Sequence, residues 1–422
     1  MKNTKIVFIG AGSVCFGQGF FNDVFMSEEL RGCTLSLVDI DKTNLDRMYN
    51  LAIKMNEVTG AGIKVERTME RRDVLSGADF VVNSAAIERI PLWVHDFEVP
   101  KKHGIRHVLG ENGGPGALFF TMRTVPMILD FARDMEELCP NAYFLNFSNP
   151  ESRVILALAR YTKTKSIGLC HGIYFMPEII GNIIGMDADE IEVWGAGLNH
   201  FQWLTKIQDG DGCDLYPLLR EKNKTHDPSY EPLSRRLFET FGLYPTCGDG
   251  HTGEYLPYGY ECGEDGCDFS DHNEEIERQS KDIADITSGA KPLDLWESGE
   301  RAVDVITAIL YNKKDIIDAG IVYNNGAISN LPDDAAVEVP VMVDASGINP
   351  INVGALPAGI ARLLSQQVGV QQTAVEAAVH GSRELAMQAL MLDPVVNSTD
   401  AARAILDELW EINKPYIKNC LA

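Results

Sequence analysis

A glycine pair directly after the first apolar segment constrains the fold of this chain more than any other feature. Lys5–Ile9 has the composition of a buried strand, and Gly10-Ala11-Gly12-Ser13 follows it before a stretch typical of a helix. A turn of this kind brings backbone N–H groups and a helix N-terminus onto a pyrophosphate. The third glycine of the usual fingerprint is absent, because Cys15 occupies its place. The turn residues predicted to contact a dinucleotide are Gly10, Gly12 and Ser13.

The first third of the chain alternates apolar strand-like runs with longer amphipathic stretches, the pattern of a parallel sheet with crossover helices. The predicted strands are Lys5–Ile9, Thr34–Val38, Lys64–Arg67, Phe80–Ser84, Tyr143–Phe147, Ser166–Leu169 and Ile191–Leu198. The predicted helices are Gln18–Met26, Asn44–Glu57 and Ala117–Leu138, with packed helices in the tail over 374–390 and 401–409. This order predicts an α/β fold with a Rossmann-like doubly wound sheet, similar to that of lactate and malate dehydrogenases, followed by a mixed α+β second lobe.

The length of 422 residues suits one large domain or two. We predict an NAD-binding domain over residues 1–195. A catalytic, substrate-binding and oligomerisation domain is predicted over residues 196–422.

Asp39 stands at the end of the second predicted strand, where a carboxylate can accept hydrogen bonds from both adenosine ribose hydroxyls. The same carboxylate rejects a 2′-phosphate, so NAD is favoured over NADP. Asn83, at the end of the fourth strand, completes the predicted cofactor contacts. The alternative is a tight strand–helix turn that binds no ligand.

Two loops precede helices at the edge of the predicted sheet where ligands bind. Glu111-Asn112-Gly113-Gly114-Pro115-Gly116 comes before the long helix, and Asn146-Phe147-Ser148-Asn149-Pro150 ends another strand. Each alone is compatible with an ordinary turn. As candidate binding residues, these loops present Glu111 and Asn149.

Cys170-His171 and Asn199-His200 end two further predicted strands. A thiolate together with an imidazole makes a site for a first-row divalent metal, and an incomplete protein set leaves positions open for substrate. Each residue taken singly is equally typical of buried structure.

The Gly-rich segment from Cys247 to Tyr260 gathers groups that can ionise. Loops held on a scaffold commonly supply acid–base residues, although a solvated acidic loop would look the same. We expect irregular structure from Cys247 to Asp271, and we interpret Asp333, Asp334 and Glu338 as compatible with surface turns. The ionisable residues of the Gly-rich segment are Asp249, His251, Glu254 and Tyr255.

The charge balance argues against polyanionic partners. The chain has 37 Lys and Arg against 61 Asp and Glu residues, a formal net charge of −24, which repels phosphate backbones and anionic lipids. We therefore expect neither nucleic-acid nor membrane binding. The N-terminal residues run straight into a strand without a secretion signal, so we expect a cytoplasmic protein.

Taken together, these motifs resemble glycoside hydrolase family 4, the NAD- and metal-dependent glycosidases, over nearly the whole chain. The motifs that carry the resemblance are Gly10-Ala11-Gly12-Ser13, Glu111 to Gly116 with Arg123, Asn146 to Pro150, Cys170-His171-Gly172, Leu198-Asn199-His200, Asn325-Gly326-Ala327-Ile328, Asn330-Leu331-Pro332, Ala389-Leu390 and Asp393-Pro394. The resemblance implies NAD, Mn²⁺ or another divalent metal, and a small sugar substrate. It also implies a homodimer or homotetramer.

The reaction implied by the resemblance is a redox-assisted elimination. NAD⁺ takes hydride from sugar C3, a base removes the acidified C2 proton, the aglycone leaves, water adds, and NADH reduces C3 again. Cys170 and His200 would bind the metal, and Asn149 would hold sugar hydroxyls. The base would be Asp249 or Tyr255, with Asp249 first because a carboxylate needs less tuning of its pKa. His171 would act as general acid or orient the sugar.

The substrate class follows from the residues after the metal cysteine. Cys170-His171-Gly172 is similar to members that act on α-glucuronides or α-galacturonides, whose carboxylate would need a cation such as Arg89, Arg123 or Lys102. We favour α-uronides over neutral α-glucosides or α-galactosides. Two other classes remain as alternatives: a lactate- or malate-type dehydrogenase, and a non-catalytic NAD-binding sensor.

Overall fold

One mixed sheet of eleven strands runs through the residues that this computed structural model describes, 4–263 and 269–421. Its strand order is β3-β2-β1-β4-β5-β6-β9-β10-β7-β8, and β11 pairs with β10. The strands are β1 (Lys5–Ile9), β2 (Thr34–Val38), β3 (Lys64–Thr68), β4 (Phe80–Asn83), β5 (Tyr143–Asn146), β6 (Lys165–Gly168), β7 (Ile191–Leu198), β8 (Phe201–Asp209), β9 (Asp315–Tyr323), β10 (Ala336–Asp344) and β11 (Gly347–Pro350).

The helices cover both faces of the sheet. They are α1 (Val14–Met26), α2 (Lys42–Thr59), α3 (Arg72–Leu75), α4 (Arg89–Lys102), α5 (Gly114–Leu138), α6 (Glu151–Tyr161), α7 (Met176–Ile184), α8 (Tyr216–Lys222), α9 (Pro232–Phe241), α10 (Gly248–Gly253), α11 (Tyr260–Gly263), α12 (Phe269–Ser288), α13 (Ala302–Tyr311), α14 (Ala358–His380), α15 (Arg383–Leu392) and α16 (Thr399–Asn413). None of these described helices is long and apolar enough to cross a bilayer.

Strands β1 to β6 are parallel in the order 3-2-1-4-5-6, which confirms the predicted doubly wound sheet. Their bounds differ from the predicted ones by a single residue at most at each end. The helices predicted in the first half are also present and begin two to four residues earlier than expected, as α5 does at Gly114. The predicted tail stretch 374–390 is divided between α14 and α15, and α14 begins at Ala358. Helix α4 was not predicted, because Pro91 and Pro100 interrupt its helical pattern.

The second half of the chain extends the same sheet with antiparallel strands. Strand β9 pairs with β6 through Gly168 and Ile321, and β10, β7 and β8 follow outward. The mixed α+β character of this half is as expected. The division at residues 195 and 196 stays a prediction.

The tail forms packed helices, as expected. Helix α14 packs against α5, α6 and α15, and its alanines share a buried cluster with Val154 and Ile155 of α6. Residues far apart in sequence therefore build one core, which holds the carboxyl ends of the strands in place.

Two expectations for acidic segments are wrong. The stretch from Cys247 to Asp271 contains α10, α11 and the start of α12, and its residues 264–268 lie outside the described part. In the first turn of α10, a carboxylate oxygen of Glu231 accepts a hydrogen bond from the Asp249 amide at 2.8 Å. Glu338 is a buried residue of β10 and not a surface turn residue, whereas Asp333 and Asp334 are exposed as expected.

Candidate active site and metal centre

The turn after β1 leaves room for a ligand only because it carries glycine. Gly10 has φ +82°, and a Cβ built there would lie 2.6 Å from the Ala85 amide nitrogen. At Gly12, a Cβ would lie 2.7 Å from Asp39 Oδ2, the atom to which the Gly12 amide donates a hydrogen bond of 2.8 Å. Ser13 caps α1 without a hydrogen bond from its side chain. The cradle suits a dinucleotide, with Asp39 at its rim.

Asn83 lies beneath this cradle and is fully buried. Its Nδ2 donates to Asn146 Oδ1 and Ser148 Oγ, both at 2.9 Å. The side chain therefore ties the end of β4 to the end of β5. Its predicted contact with the cofactor stays a prediction.

Cys170 and His200 meet at the carboxyl edge of the sheet. Cys170 Sγ lies 3.2 Å from His200 Nε2, although the two residues are thirty positions apart. Burial lowers the pKa of His200 well below its ordinary value, so its imidazole is neutral and able to bind a metal. Burial raises the pKa of Cys170, and a bound metal would displace that thiol proton. A thiolate together with a neutral imidazole fits a first-row divalent ion.

The tight turn that carries His200 is clamped from three elements. His200 has φ +62°, a conformation that favours glycine. Ser152 Oγ accepts the Asn199 amide at 3.2 Å, the Tyr255 hydroxyl donates to the Asn199 carbonyl at 3.0 Å, and Asn199 Nδ2 donates to Glu338 Oε2 at 3.4 Å. These contacts hold the imidazole toward Cys170.

Glu254 joins α10 to the loop before α5. Its Oε2 accepts the amides of Glu111, Asn112 and Gly113 at 2.7, 2.7 and 3.2 Å. Its Oε1 lies 3.1 Å from His251 Nδ1. Burial lowers the pKa of His251, but the hydrogen bond and charge of Glu254 outweigh burial and raise it above its ordinary value.

Three of the predicted substrate residues meet, and one does not. Glu111 Oε1 accepts from Asn149 Nδ2 at 3.0 Å and pairs with Arg89 Nη2. Arg89 also stacks on Trp93, with 4.4 Å from its guanidinium carbon to the ring centroid. Arg123 instead forms a fully buried ion pair with Asp96. Its Nη1 donates to Asn413 Oδ1 at 3.2 Å, so the hydrogen bonds of Arg123 hold elements together instead of contacting Glu111 or Asn149.

His171 lies beside Cys170 but turns toward another acid. Its Nδ1 is 3.2 Å from Glu300 Oε1, and 43% of its side chain is exposed. An imidazole in this position can reach a ligand bound at the neighbouring cysteine. Its predicted acid or orienting role stays a prediction.

Asp249 lies on α10 together with His251. Its carboxylate oxygens accept the Leu233 and Ser234 amides at 2.8 and 2.7 Å, which caps the first turn of α9. Burial and the charge of Asp249 raise the pKa of the neighbouring Glu231. Asp249 is thus an ordered carboxylate of the Gly-rich segment, and its role as base stays a prediction.

The sequence reasoning missed two buried carboxyl groups at this edge. Burial raises the pKa of Glu338 to about 8. Burial, with the charges of Glu338 and Glu300, raises the pKa of Glu151 well above its ordinary value. The signal for Glu338 was available, since an acid inside the apolar run Ala336–Val343 cannot face water on either side. Nothing local marks Glu151.

Comparison with known proteins finds a family match along the chain. Residues 5–186 match the model of "Family 4 glycosyl hydrolase", and residues 195–396 match that of "Family 4 glycosyl hydrolase C-terminal domain". The chain is 34% identical over 429 residues to an alpha-galactosidase of Bacillus subtilis, covering 98% of this chain and 99% of the relative. It is 28% identical over 458 residues to an alpha-galacturonidase of Thermoanaerobacter italicus, covering 99% and 98%.

The fold also matches solved structures. A 6-phospho-alpha-glucosidase from gut microorganisms, solved in complex with NAD and Mn²⁺, superposes with a TM-score of 0.87 at 22% identity over 99% of both chains. At that identity the likeness establishes the fold.

Proposed function

This chain belongs to glycosyl hydrolase family 4, and from that premise we propose that it is an NAD- and Mn²⁺-dependent glycosidase of α-glycosides, with α-uronides as its substrates. The observation that carries the proposal is the Cys170–His200 pair, 3.2 Å apart, at the carboxyl edge of a dinucleotide-type sheet. A simple dehydrogenase or a sensor has no use for this thiol–imidazole pair. Membership of a glycosidase family removes the support for both alternatives.

The two cofactors have separate places in the described residues. The cradle at Gly10, Gly12 and Asp39 suits NAD, and the pair of Cys170 and His200 suits the metal. When bound, NAD⁺ and a divalent metal supply hydride acceptance at sugar C3 and Lewis-acid polarisation of the C2 and C3 oxygens. A relative of the same fold was solved with both groups.

The chain's own residues would bind and orient the sugar. Asn149 and Glu111, hydrogen-bonded to each other at 3.0 Å, offer amide and carboxylate groups that can exchange this contact for sugar hydroxyls. The neutral His200 and the Asn199 turn hold their geometry through Ser152, Tyr255 and Glu338.

We assign removal of the C2 proton to Asp249 rather than to Tyr255. The Tyr255 hydroxyl is buried and donates to the Asn199 carbonyl, and burial raises its pKa well above the ordinary value. A phenol held in that state is a poor proton acceptor near neutral pH. To take the proton, Asp249 would exchange the hydrogen bonds that it accepts from the Leu233 and Ser234 amides for a contact with substrate.

The uronide assignment rests on Arg89. Its Nη2 pairs with Glu111, while its Nη1 is buried and has no hydrogen-bond partner among the described residues. A planar guanidinium with a free donor beside Asn149 suits a sugar carboxylate. The alpha-galacturonidase relative supports the same class.

Neutral α-galactosides are the second candidate. The alpha-galactosidase relative is more similar, at 34% identity against 28% for the alpha-galacturonidase. Arg89 would then serve only to hold Glu111 in place.

The test is release of p-nitrophenol from matched p-nitrophenyl α-galacturonide, α-glucuronide, α-galactoside and α-glucoside. Each assay contains NAD⁺, Mn²⁺ and a thiol reductant, and each component is then omitted singly. We expect cleavage of an α-uronide that vanishes without NAD⁺ or Mn²⁺ and accumulates no NADH. A preference for the α-galactoside would establish the neutral candidate, and cleavage independent of NAD⁺ would refute the cofactor assignment.

A further inference from the structure

His251 approaches the metal centre although neither its spacing nor the resemblance assigns it there. Its ring centroid lies 4.0 Å from that of His200, with an interplanar angle of 34°. The potential ligand atoms of His200, His251 and Glu254 all lie within 4.8 Å of one another. This set does not include Cys170, whose Sγ lies 3.2 Å from His200 Nε2, so His200 is the residue that both contacts share.

Glu254 is already committed to other partners. Its Oε2 accepts three backbone amides, and its Oε1 faces His251 Nδ1. A carboxylate held in this way satisfies its lone pairs within the protein. Glu254 is therefore placed to orient His251 and not to bind the ion itself.

His251 has the arrangement of a metal-binding imidazole. Histidines that bind metals usually donate their second ring N–H to a carboxylate, which fixes the ring and its tautomer. In His251 the Nδ1 faces Glu254, which leaves Nε2 as the ring nitrogen that can bind a ligand, and the ring lies 4.0 Å from that of His200. We propose that His251 is a third protein ligand of the metal, beside Cys170 and His200, and that Glu254 is its positioning residue.

This arrangement couples the metal to the substrate loop. Glu254 bonds the amide of Glu111, whose side chain contacts Asn149 and Arg89. One carboxylate, that of Glu254, therefore contacts both His251 and the loop that carries the candidate substrate residue Glu111.

The inference rests on the metal dependence in the proposed function, but its test needs no turnover. Mn²⁺ is titrated into the chelator-treated, reduced enzyme with NAD⁺ and without sugar, and free Mn²⁺ is followed by electron paramagnetic resonance. Spin-echo modulation of bound Mn²⁺ then counts the coordinated imidazole nitrogens. The variants are His251→Gln and Glu254→Gln. The matched control is His380→Gln. In α14, His380 Nε2 lies 3.5 Å from Glu376 Oε2, so this histidine also faces a carboxylate, but it is more than 120 positions from His251 in the sequence.

We expect two coordinated imidazoles in the wild type and one in His251→Gln. Mn²⁺ affinity should fall about 10-fold or more in His251→Gln and about 10- to 100-fold in Glu254→Gln, with no change in His380→Gln. A single imidazole in the wild type overturns the inference, and that measurement requires no variant to fold. Wild-type affinity in folded His251→Gln overturns it equally.

The outcomes separate this inference from the proposed function. Two imidazoles with no cleavage of any glycoside would support the ligand and refute the glycosidase proposal. One imidazole with NAD⁺- and Mn²⁺-dependent cleavage would do the reverse.

Discussion

The contact of the Tyr255 hydroxyl group distinguishes a structural role from a catalytic role for this residue. It donates to the Asn199 carbonyl at 3.0 Å, and the Tyr255 ring stacks on Phe201 with centroids 4.9 Å apart. The side chain is only 2% exposed. At the scale of the residue, Tyr255 therefore supports the turn that carries His200, and on this ground we propose Asp249 as the base.

Substitution of Tyr255 and of Asp249, one at a time, distinguishes a support for the His200 turn from the base that removes the C2 proton. In Tyr255→Phe, the Asn199 carbonyl loses a buried partner at a cost of about 1–3 kcal/mol, so the His200 turn loosens and Mn²⁺ affinity falls. Turnover at saturating Mn²⁺ should persist. In Asp249→Asn, kcat should fall about 10²- to 10⁴-fold while Mn²⁺ affinity is kept. The measurements are Mn²⁺ titration and kcat at saturating Mn²⁺.

The opposite pattern would reverse the assignment. If Tyr255→Phe binds Mn²⁺ as the wild type does but no longer exchanges the C2 proton of substrate with solvent deuterium, Tyr255 is the base.

At the scale of the element, the β1–α1 turn depends on the absence of side chains at Gly10 and Gly12. The Gly12 amide donates to Asp39 Oδ2, and the ends of β1 and β2 stay in contact through the Gly10 amide and the Val38 carbonyl, 2.9 Å apart. No side chain separates the turn from Asp39. The backbone of the turn can therefore approach a pyrophosphate while the carboxylate faces a ribose.

A single methyl group should disrupt this element. In Gly12→Ala, the new Cβ would lie 2.7 Å from Asp39 Oδ2, so either the carboxylate or the turn must move. We expect NAD⁺ affinity to fall at least about tenfold, equivalent to about 1.4 kcal/mol, when measured by quenching of intrinsic fluorescence.

The control is Gly369→Ala within α14. A Cβ at Gly369 would meet no atom within 4 Å, so this variant should bind NAD⁺ normally and gain about 0.5–1 kcal/mol of helix stability. Equal NAD⁺ affinity in Gly12→Ala and the wild type would show that the β1–α1 turn does not bind the cofactor.

At the scale of the whole molecule, the two halves of the sequence share one sheet and one buried cluster. Strand β6 pairs with β9, and α14 packs on α5 and α6. Loss of either half would expose the apolar faces of the other. A titratable group buried in one half therefore affects the unfolding of the complete chain.

His107 supplies such a group. It is 5% exposed, its Nε2 donates to the Phe97 carbonyl at 2.9 Å, and burial lowers its pKa from 6.5 to about 4. Above pH 6.5 the imidazole is neutral in both the folded and the unfolded chain. Between pH 6.5 and pH 4 the unfolded chain binds the proton at this histidine and the folded chain does not. The free energy of unfolding therefore decreases as the pH is lowered through this range, by up to about 3 kcal/mol.

Replacement of His107 should make the free energy of unfolding less dependent on pH in the acid range. We expect the free energy of unfolding of His107→Gln to fall less than that of the wild type between pH 7 and pH 4.5, measured by urea denaturation. His95→Gln, at an exposed position of α4, should follow the wild type. Parallel pH dependence of His107→Gln and the wild type would contradict the prediction.

The sequence by itself determined the parallel half of the sheet and the cradle for the dinucleotide. Both depend on local rules: apolar runs bounded by Gly10 and Gly12, and a carboxylate placed at a strand end, as in Asp39. It also predicted Cys170 and His200 at the ends of two strands that follow each other along the chain. Strands β9 and β10 lie between those two strands and β7 pairs antiparallel with β10, so their meeting depends on the tertiary structure. The hydrophobic periodicity of the sequence did not predict α4, because two prolines interrupt the helical pattern there.

Only the tertiary structure decided which polar side chains serve the site. Glu254 meets the amides of residues 111–113, more than 140 positions away, and Glu338 lies in a strand that the sequence leaves open to a surface interpretation. Arg123 and Arg89 have the same charge, yet Arg123 is buried against Asp96 while Arg89 contacts Glu111. The physical reason is that spacing along the chain governs local backbone conformation, whereas burial and partners of a charge depend on packing between distant elements.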